Sequence, residues 1–250
     1  MNKYGLIGFP LGHSFSAKYF NNKFKQESID AEYLNFEIEN IEDIVKLLDN
    51  TENLKGLNVT IPHKETVIPF LDSLSTNAQK IGAVNTIKVI RYHNNGTSYK
   101  LEGHNTDYVG FKKSIQPLIN PHTHTKALVL GTGGASKAIV QALEDMNIEW
   151  LYVSRTKGNN CITYNDIDAS IMDDYKVIIN CSPLGTFPKT DECPNLPYHL
   201  ITKEHLLYDL VYNPAETLFL YNGKKQGATI KNGEEMLELQ ALAAWEIWER

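Results

Sequence analysis

The stretch Ala127–Ser136, ALVLGTGGAS, restricts what this chain can become more than any other segment. An apolar run, Ala127-Leu128-Val129-Leu130, enters Gly131-Thr132-Gly133-Gly134, and a helix-favouring run from Ala135 to Met146 follows. Strand, glycine turn and helix in that order open a dinucleotide-binding βαβ unit. Gly131 permits a turn that a side chain would obstruct, and Gly133 lets backbone approach a pyrophosphate. The helix behind them offers unpaired N–H groups and the positive end of its dipole to phosphates. A glycine-rich turn is also an ordinary connection, and Ser136 takes the place of the third glycine of G-x-G-x-x-G. The flanking strand and helix carry the assignment.

The rest of the composition narrows the class. At 250 residues and 42% hydrophobic, the chain holds one large domain or two ordinary ones with a real core. Its net charge of −6 comes from interspersed acids and bases, with no basic block for nucleic acid and no polybasic patch for a membrane. Apolar runs are of strand length, too short to span a bilayer. The start reaches Gly5 and Gly8 too soon for a secretory signal, and Cys161, Cys181 and Cys193 are odd in number and widely spaced. Both features predict reduced thiols in a cytoplasm. His122 and His124 sit beside Pro121 without further nearby ligands, so no metal is expected.

Along the chain, Tyr4–Gly8 reads as a buried strand and Phe9–Ser16 as a loop. Ser14 and Ser16, two apart, point to one side of an extended backbone and could grip one polyol. Either could instead cap a helix from Ala17 to Lys25, and taken alone the cap is favoured. Glu32–Glu37 alternates as a strand, Ile41–Leu48 is amphipathic and helical, and Leu54–Val59 is a strand ending in Asn58-Val59-Thr60-Ile61-Pro62-His63-Lys64. Polar groups at the C-terminal end of such a strand are where open α/β sheets bind ligands. An ammonium at Lys64 could stabilise an oxyanion and deliver a proton to it, although surface exposure is the commoner fate of a lysine. Glu65–Lys80 reads as a helix broken near Pro69, and Asn94-Asn95-Gly96 as a hairpin turn between Ile87–Ile90 and Tyr99–Leu101. Asp107 could cap a helix starting near Tyr108.

Beyond the glycine turn, Leu151–Ser154, Val177–Cys181 and Leu206–Val211 are further strands, and Glu216–Lys225 is a helix. This alternation predicts a parallel sheet. At the tip of the second strand, where an NAD enzyme places an acid for the ribose, the chain has Ser154-Arg155-Thr156-Lys157. Cations without a carboxylate favour a 2′-phosphate, hence NADP. A last amphipathic helix, Glu235–Glu249, is expected to pack through Met236, Leu237, Leu239, Leu242, Ala243, Trp245 and Trp248, with the amide of Gln240 among them needing a partner.

Several motifs together resemble the shikimate dehydrogenase family over essentially the whole length. They are Gly8-Phe9-Pro10 with His13-Ser14-Phe15-Ser16, Asn58–Lys64, Gly82–Thr86 (GAVNT), Asn105-Thr106-Asp107, Gly131–Ser136, Asp209–Pro214 with Thr217, and Gly233–Gln240. The resemblance implies an α/β protein of two domains. The first is a substrate-binding and catalytic domain over residues 1–105 with a mainly parallel mixed sheet, to which the helix of residues 234–250 returns. The second is a Rossmann-like NADP-binding domain over residues 106–233. It implies Lys64 and Asp107 as the catalytic pair, and Ser14, Ser16, Thr60, Asn85, Tyr212 and Gln240 on the substrate. It implies Gly131, Thr132, Gly133, Gly134, Ala135, Ser154, Arg155, Thr156, Leu210 and Gly233 on NADP. Three positions depart from the family pattern. Ala17 replaces a proline, Ser154 an asparagine, and no acid stands near Thr76 and Asn77 in the helix after the lysine motif.

The implied activity is NADPH-dependent, reversible reduction of 3-dehydroshikimate to shikimate by a cytoplasmic monomer or homodimer acting on a small molecule. Two other readings stay open on the same scaffold: a dehydrogenase of broader quinate and shikimate specificity, and a non-catalytic NADP-binding regulator. The regulator predicts loss of Lys64 or Asp107, and both are present.

Overall fold

The computed structural model describes residues 1–12, 15–92 and 98–250. It divides into two compact units, residues 1–106 with 241–250, and residues 107–240. The first contains β1 (Asn2–Gly8), α1 (Phe15–Gln26), β2 (Ala31–Glu37), α2 (Asp43–Asn50), β3 (Leu54–Val59), α3 (His63–Thr66), β4 (Ser73–Leu74), α4 (Thr76–Ile81), β5 (Thr86–Tyr92) and β6 (Ser98–His104). They build one mixed sheet in the order β2-β1-β3-β5-β6-β4. β1 lies parallel to β2 and β3, β5 runs antiparallel to β3 and β6, and β4 joins β6 in parallel. Alternate residues of these strands enter the core: Ile7, Leu57, Val59, Ile87 and Val89 pack with Ile44 and Leu48 of α2. The two helix residues are four apart, so they share one face of α2.

A second cluster joins Tyr4, Phe20, Phe24 and Tyr33 to Ala241, Ala244 and Trp248. The Trp248 indole N–H donates to the Ile87 carbonyl at 3.0 Å, which fastens the C-terminal segment to this sheet. A buried indole needs such a partner.

Two local expectations are corrected. The segment predicted as a helix over Glu65–Lys80 broken near Pro69 does break there, but into α3, a 3-10 turn at Ile68–Phe70, the short strand β4 and then α4. Pro69 removes a helical donor. Asp72 and Ser75 turn to the sheet, with the Asp72 N–H on the Leu101 carbonyl (3.0 Å), the Asp72 carboxylate accepting the Leu101 N–H (2.7 Å), and the Ser75 N–H on the Gly103 carbonyl (2.8 Å). α1 starts at Phe15, so Ser16 lies inside its first turn and is neither its cap nor extended backbone. Ser14 and the Asn94-Asn95-Gly96 turn lie outside the described residues.

The second unit takes α5 (Thr106–Ile115) from Asp107 onward, then β7 (Lys126–Leu130), α6 (Gly134–Glu144), β8 (Glu149–Ser154), β9 (Cys161–Thr163), α7 (Ala169–Asp174), β10 (Val177–Asn180), β11 (Leu206–Asp209), α8 (Leu218–Lys225), β12 (Thr229–Lys231) and the start of α9 (Glu234–Glu249). Its six strands are all parallel, in the order β12-β11-β10-β7-β8-β9. Counted from β7, that is the dinucleotide-binding order 3-2-1-4-5-6. Every residue of β10 and β11 is buried, as expected of central strands covered on both faces. Asp107 is the second residue of α5 rather than its cap, and its charge still suits the positive end of the helix. In α9 the expected packing of Leu242 fails: it is 41% exposed, while Ala241 and Ala244 are buried. Among the described residues no helix is long and apolar enough to cross a membrane, and no group of three or more His, Cys, Asp and Glu could hold a metal.

Candidate active site and cofactor cradle

In the first unit the site grows from the C-terminal end of β3. The Thr60 N–H bonds the Ile7 carbonyl, and the Thr60 carbonyl accepts the His63 N–H, each at 2.9 Å. His63 is buried, and its ring nitrogen Nε2 lies 2.7 Å from the Ile38 carbonyl. A carbonyl only accepts, so that nitrogen carries the proton. α3 is therefore pinned just before Lys64, which is half-buried. The carbonyl of Lys64 accepts the Val84 N–H at 2.7 Å.

The next residue, Asn85, is 3% exposed. Its Oδ1 accepts the Thr106 N–H at 2.7 Å and lies 3.2 Å from the Thr106 hydroxyl. A backbone N–H can only donate, so the carboxamide must turn its oxygen toward Thr106. The adjacent residues Val84 and Asn85 thus tie the Lys64 carbonyl and the Thr106 N–H to one short stretch of chain. Asp107 follows Thr106 directly and is 4% exposed. Of the expected substrate residues, Thr60 and Asn85 share this region with Lys64. Tyr212 (40% exposed) and the half-buried Gln240 belong to the second unit.

In the second unit, Gly131 has φ +99, a left-handed conformation that favours glycine. It sits beside Cys181 and Ser182, so it marks the switch point between β7 and β10 where an open sheet binds its ligand. Gly133 is the N-cap of α6, and no heavy atom lies within 4 Å of where its Cβ would be. That open face fits a pyrophosphate drawn against backbone N–H groups, with Thr132, Gly134 and Ala135 alongside. Ser136, buried at the third glycine position, turns its hydroxyl back to the Gly133 carbonyl at 2.7 Å and so closes the turn without a glycine.

At the tip of β8, Ser154 is half-buried while Arg155, Thr156 and Lys157 are exposed. Lys157 pairs with Asp166 at 3.5 Å. The Thr163 N–H and hydroxyl bond the Asp166 carboxyl and hold it below the usual carboxylate range. Arg155 is thus the cation at this tip that no described ion pair engages. On the far side of the cradle, Gly233 donates to the Val211 carbonyl at 3.1 Å. A Cβ on Gly233 would overlap the Leu210 carbonyl, so glycine is what lets those backbones touch.

Beneath Leu210 lies an arrangement that pattern reading missed. Asp209, fully buried, accepts from Asn180 Nδ2 (2.9 Å), the Val211 N–H (3.0 Å) and the Thr217 hydroxyl (2.6 Å). Asn180 in turn accepts from the Ser182 N–H (3.0 Å) and hydroxyl (2.6 Å). The loops after β10 and β11 are both tied to this pair. Asp209 and Thr217 stand in a recognised motif, yet only the structure shows that they bond each other. His63, Asn58 and Thr106 were likewise inside motifs without a role. A polar residue flanked by buried strand positions is the signal that could have singled them out.

Burial pushes the Asp209 carboxyl up to about 6 against its three donors. The unfolded group titrates near 3.9, so the folded state holds the proton more tightly, and the buried charge costs stability above about pH 6 that is recovered as pH falls toward 4. Asp209→Asn removes the charge and keeps an acceptor for Asn180 and Val211. Its melting temperature at about pH 7.5 is expected to equal or exceed that of the unsubstituted protein, with the difference shrinking by about pH 5. A clear drop at the higher pH would show that the charge itself is stabilising.

A family model described as the shikimate dehydrogenase substrate binding domain matches residues 6–87. A protein of Clostridium beijerinckii named shikimate dehydrogenase (NADP(+)) is 41% identical over 258 residues, covering 100% of this chain and 92% of that protein. The crystal structure of shikimate dehydrogenase from Aquifex aeolicus is similar with a TM-score of 0.82 at 36% identity, over 99% of this chain and 92% of that one. The enzyme from Thermus thermophilus, solved in complex with NADP(H) and shikimate, gives a TM-score of 0.82 at 28% identity, over 99% and 93% of the two chains.

Proposed function

The chain belongs to the shikimate dehydrogenase family, and on that premise we propose that it catalyses the reversible, NADPH-dependent reduction of 3-dehydroshikimate to shikimate in aromatic amino acid biosynthesis. The observation that carries the mechanism is the short stretch of chain at which Val84 holds the Lys64 carbonyl and Asn85 holds the Thr106 N–H. NADPH, when bound, supplies the hydride; the protein's part is orientation and proton handling. The Lys64 ammonium stabilises the charge that grows on the C3 oxygen and gives it a proton. Asp107 is the second acid–base group of the catalytic pair. In the reverse direction the pair takes the hydroxyl proton.

Ser14, Ser16, Thr60, Asn85, Tyr212 and Gln240 hold the polyol. Gly131, Thr132, Gly133, Gly134 and Ala135 hold the pyrophosphate; Ser154, Arg155 and Thr156 hold the 2′-phosphate; Leu210 and Gly233 also contact the cofactor. The domain of residues 1–105 with the helix of residues 234–250 serves the substrate, and that of residues 106–233 the cofactor. The enzyme works in the cytoplasm as a monomer or homodimer, its thiols reduced.

Oxidation of shikimate and of quinate with NADP tests the substrate assignment. A site built to hydrogen-bond one set of ring hydroxyls rejects an altered set by roughly tenfold or more in kcat/KM, so shikimate is expected to lead by that margin. Equal rates would give a broader polyol dehydrogenase, and no oxidation of either would overturn the proposal.

A further inference from the structure

Tyr33 belongs to none of the motifs above, yet three of its groups fasten α1. Its N–H and carbonyl bond both ends of the Asn21 carboxamide, each at 2.9 Å. Its ring stacks on Phe20, with centroids 4.9 Å apart and planes 10° from parallel. Its hydroxyl donates to Asn58 Oδ1 at 2.7 Å. Ser16 and Phe20 are four apart, so the face of α1 that bears Ser16 is the face on which the Tyr33 ring stacks.

Asn58 carries the connection onward. Its Nδ2 lies 3.3 Å from the Asn85 carbonyl and 3.2 Å from the Thr86 hydroxyl. The carbonyl can only accept, which turns Asn58 Oδ1 toward Tyr33 and makes the phenol the donor there. Burial keeps that phenol un-ionised. A path of contacts therefore runs from Ser16, through its helix neighbour Phe20, to Tyr33, Asn58 and Asn85 in the interior of the first unit. Its two ends are residues assigned above to the substrate. Tyr33 itself is 2% exposed and lies beneath them.

We propose that Tyr33 is a positioning residue for substrate binding: its hydroxyl, through Asn58, holds the helix face that bears Ser16 in register with Asn85, so that the two close on the same substrate molecule. This rests on the reading of Ser16 as a shikimate ligand. It extends that reading to a side chain that does not touch the substrate.

The test is a double-mutant cycle on Tyr33→Phe and Ser16→Ala, followed as KM for shikimate, KM for NADP, kcat and melting temperature. Phenylalanine keeps the ring stacked on Phe20. Loss of one hydrogen-bonded hold is expected to raise KM for shikimate roughly fivefold, with kcat and KM for NADP within about twofold of the unsubstituted enzyme. In the Ser16→Ala background, Tyr33→Phe is expected to add almost nothing, because its effect passes through the placement of the Ser16 hydroxyl. A shikimate KM effect of Tyr33→Phe that is the same in both backgrounds would overturn the proposal, since a purely structural tyrosine acts with or without that hydroxyl. So would a normal KM in Tyr33→Phe while Ser16→Ala is impaired, a result that leaves the Ser16 assignment standing. A normal KM in Ser16→Ala would remove the reading beneath it. Should Tyr33→Phe fail to fold, Tyr33→Phe with Asn58→Ser removes donor and acceptor together and is judged by the same criteria.

Discussion

Lys64→Ala is expected to lose on the order of 10²-fold or more in kcat, the range for a positioned proton donor or acceptor. KM for shikimate and for NADP should move far less. The ammonium acts on charge that exists only as the carbonyl is reduced, and a contact made in the transition state lowers turnover when removed. The fold gives reason to expect an intact variant. Lys64 is held by its backbone, through the Val84 N–H and the His63 anchor, and alanine keeps both. Asp107→Ala should show a related loss, and the double variant less than the sum, because the two groups act as a unit. Steady-state kinetics with a melting curve for each variant decide it. Near-normal turnover in Lys64→Ala would make Lys64 an ordinary surface lysine.

Arg155→Ala is expected to weaken NADP by at least about tenfold and to leave NAD almost unchanged, since a charge-assisted hydrogen bond contributes about 1.5–3 kcal/mol. A guanidinium can hold a phosphate through two parallel bonds. NAD offers no such phosphate and meets no carboxylate at positions 154–157. Because Lys157 is paired with Asp166, the discrimination should rest chiefly on Arg155. Dissociation constants for NADP and NAD, titrated on both proteins, check this without recourse to activity. Equal weakening of both dinucleotides would place Arg155 away from the 2′-phosphate.

The second unit was legible in the sequence because its signals are local. Apolar runs end on turn residues, a glycine at +99° needs to be glycine, and alternating strands and helices imply parallel order. β9, β12 and α7 were missed because three to six residues carry too little periodicity to register. The Glu65–Lys80 expectation failed for a tertiary reason: helix-compatible residues around Asp72 found their partners on β6, some thirty positions away. Leu242 failed because a helix's apolar stripe does not say which edge of it faces inward. For the site, Lys64, Asn85 and Asp107 were visible as motif members. The bonds that tie the Lys64 carbonyl to Val84 and the Asn85 side chain to Thr106 were not, since main-chain hydrogen bonds between segments leave no mark on residue identity. Asp209 and Tyr33 stayed hidden for the same reason.

The central claim is that Lys64 and Asp107 serve a hydride transfer between NADPH and a shikimate-type carbonyl. Its most direct test mixes the unsubstituted protein with 3-dehydroshikimate and NADPH and follows reduced-nicotinamide absorbance while the product is identified. Shikimate and NADP should form in equal amounts, with NADH at the same concentration at least about tenfold slower. Undiminished NADPH in the presence of 3-dehydroshikimate and folded protein would contradict the claim.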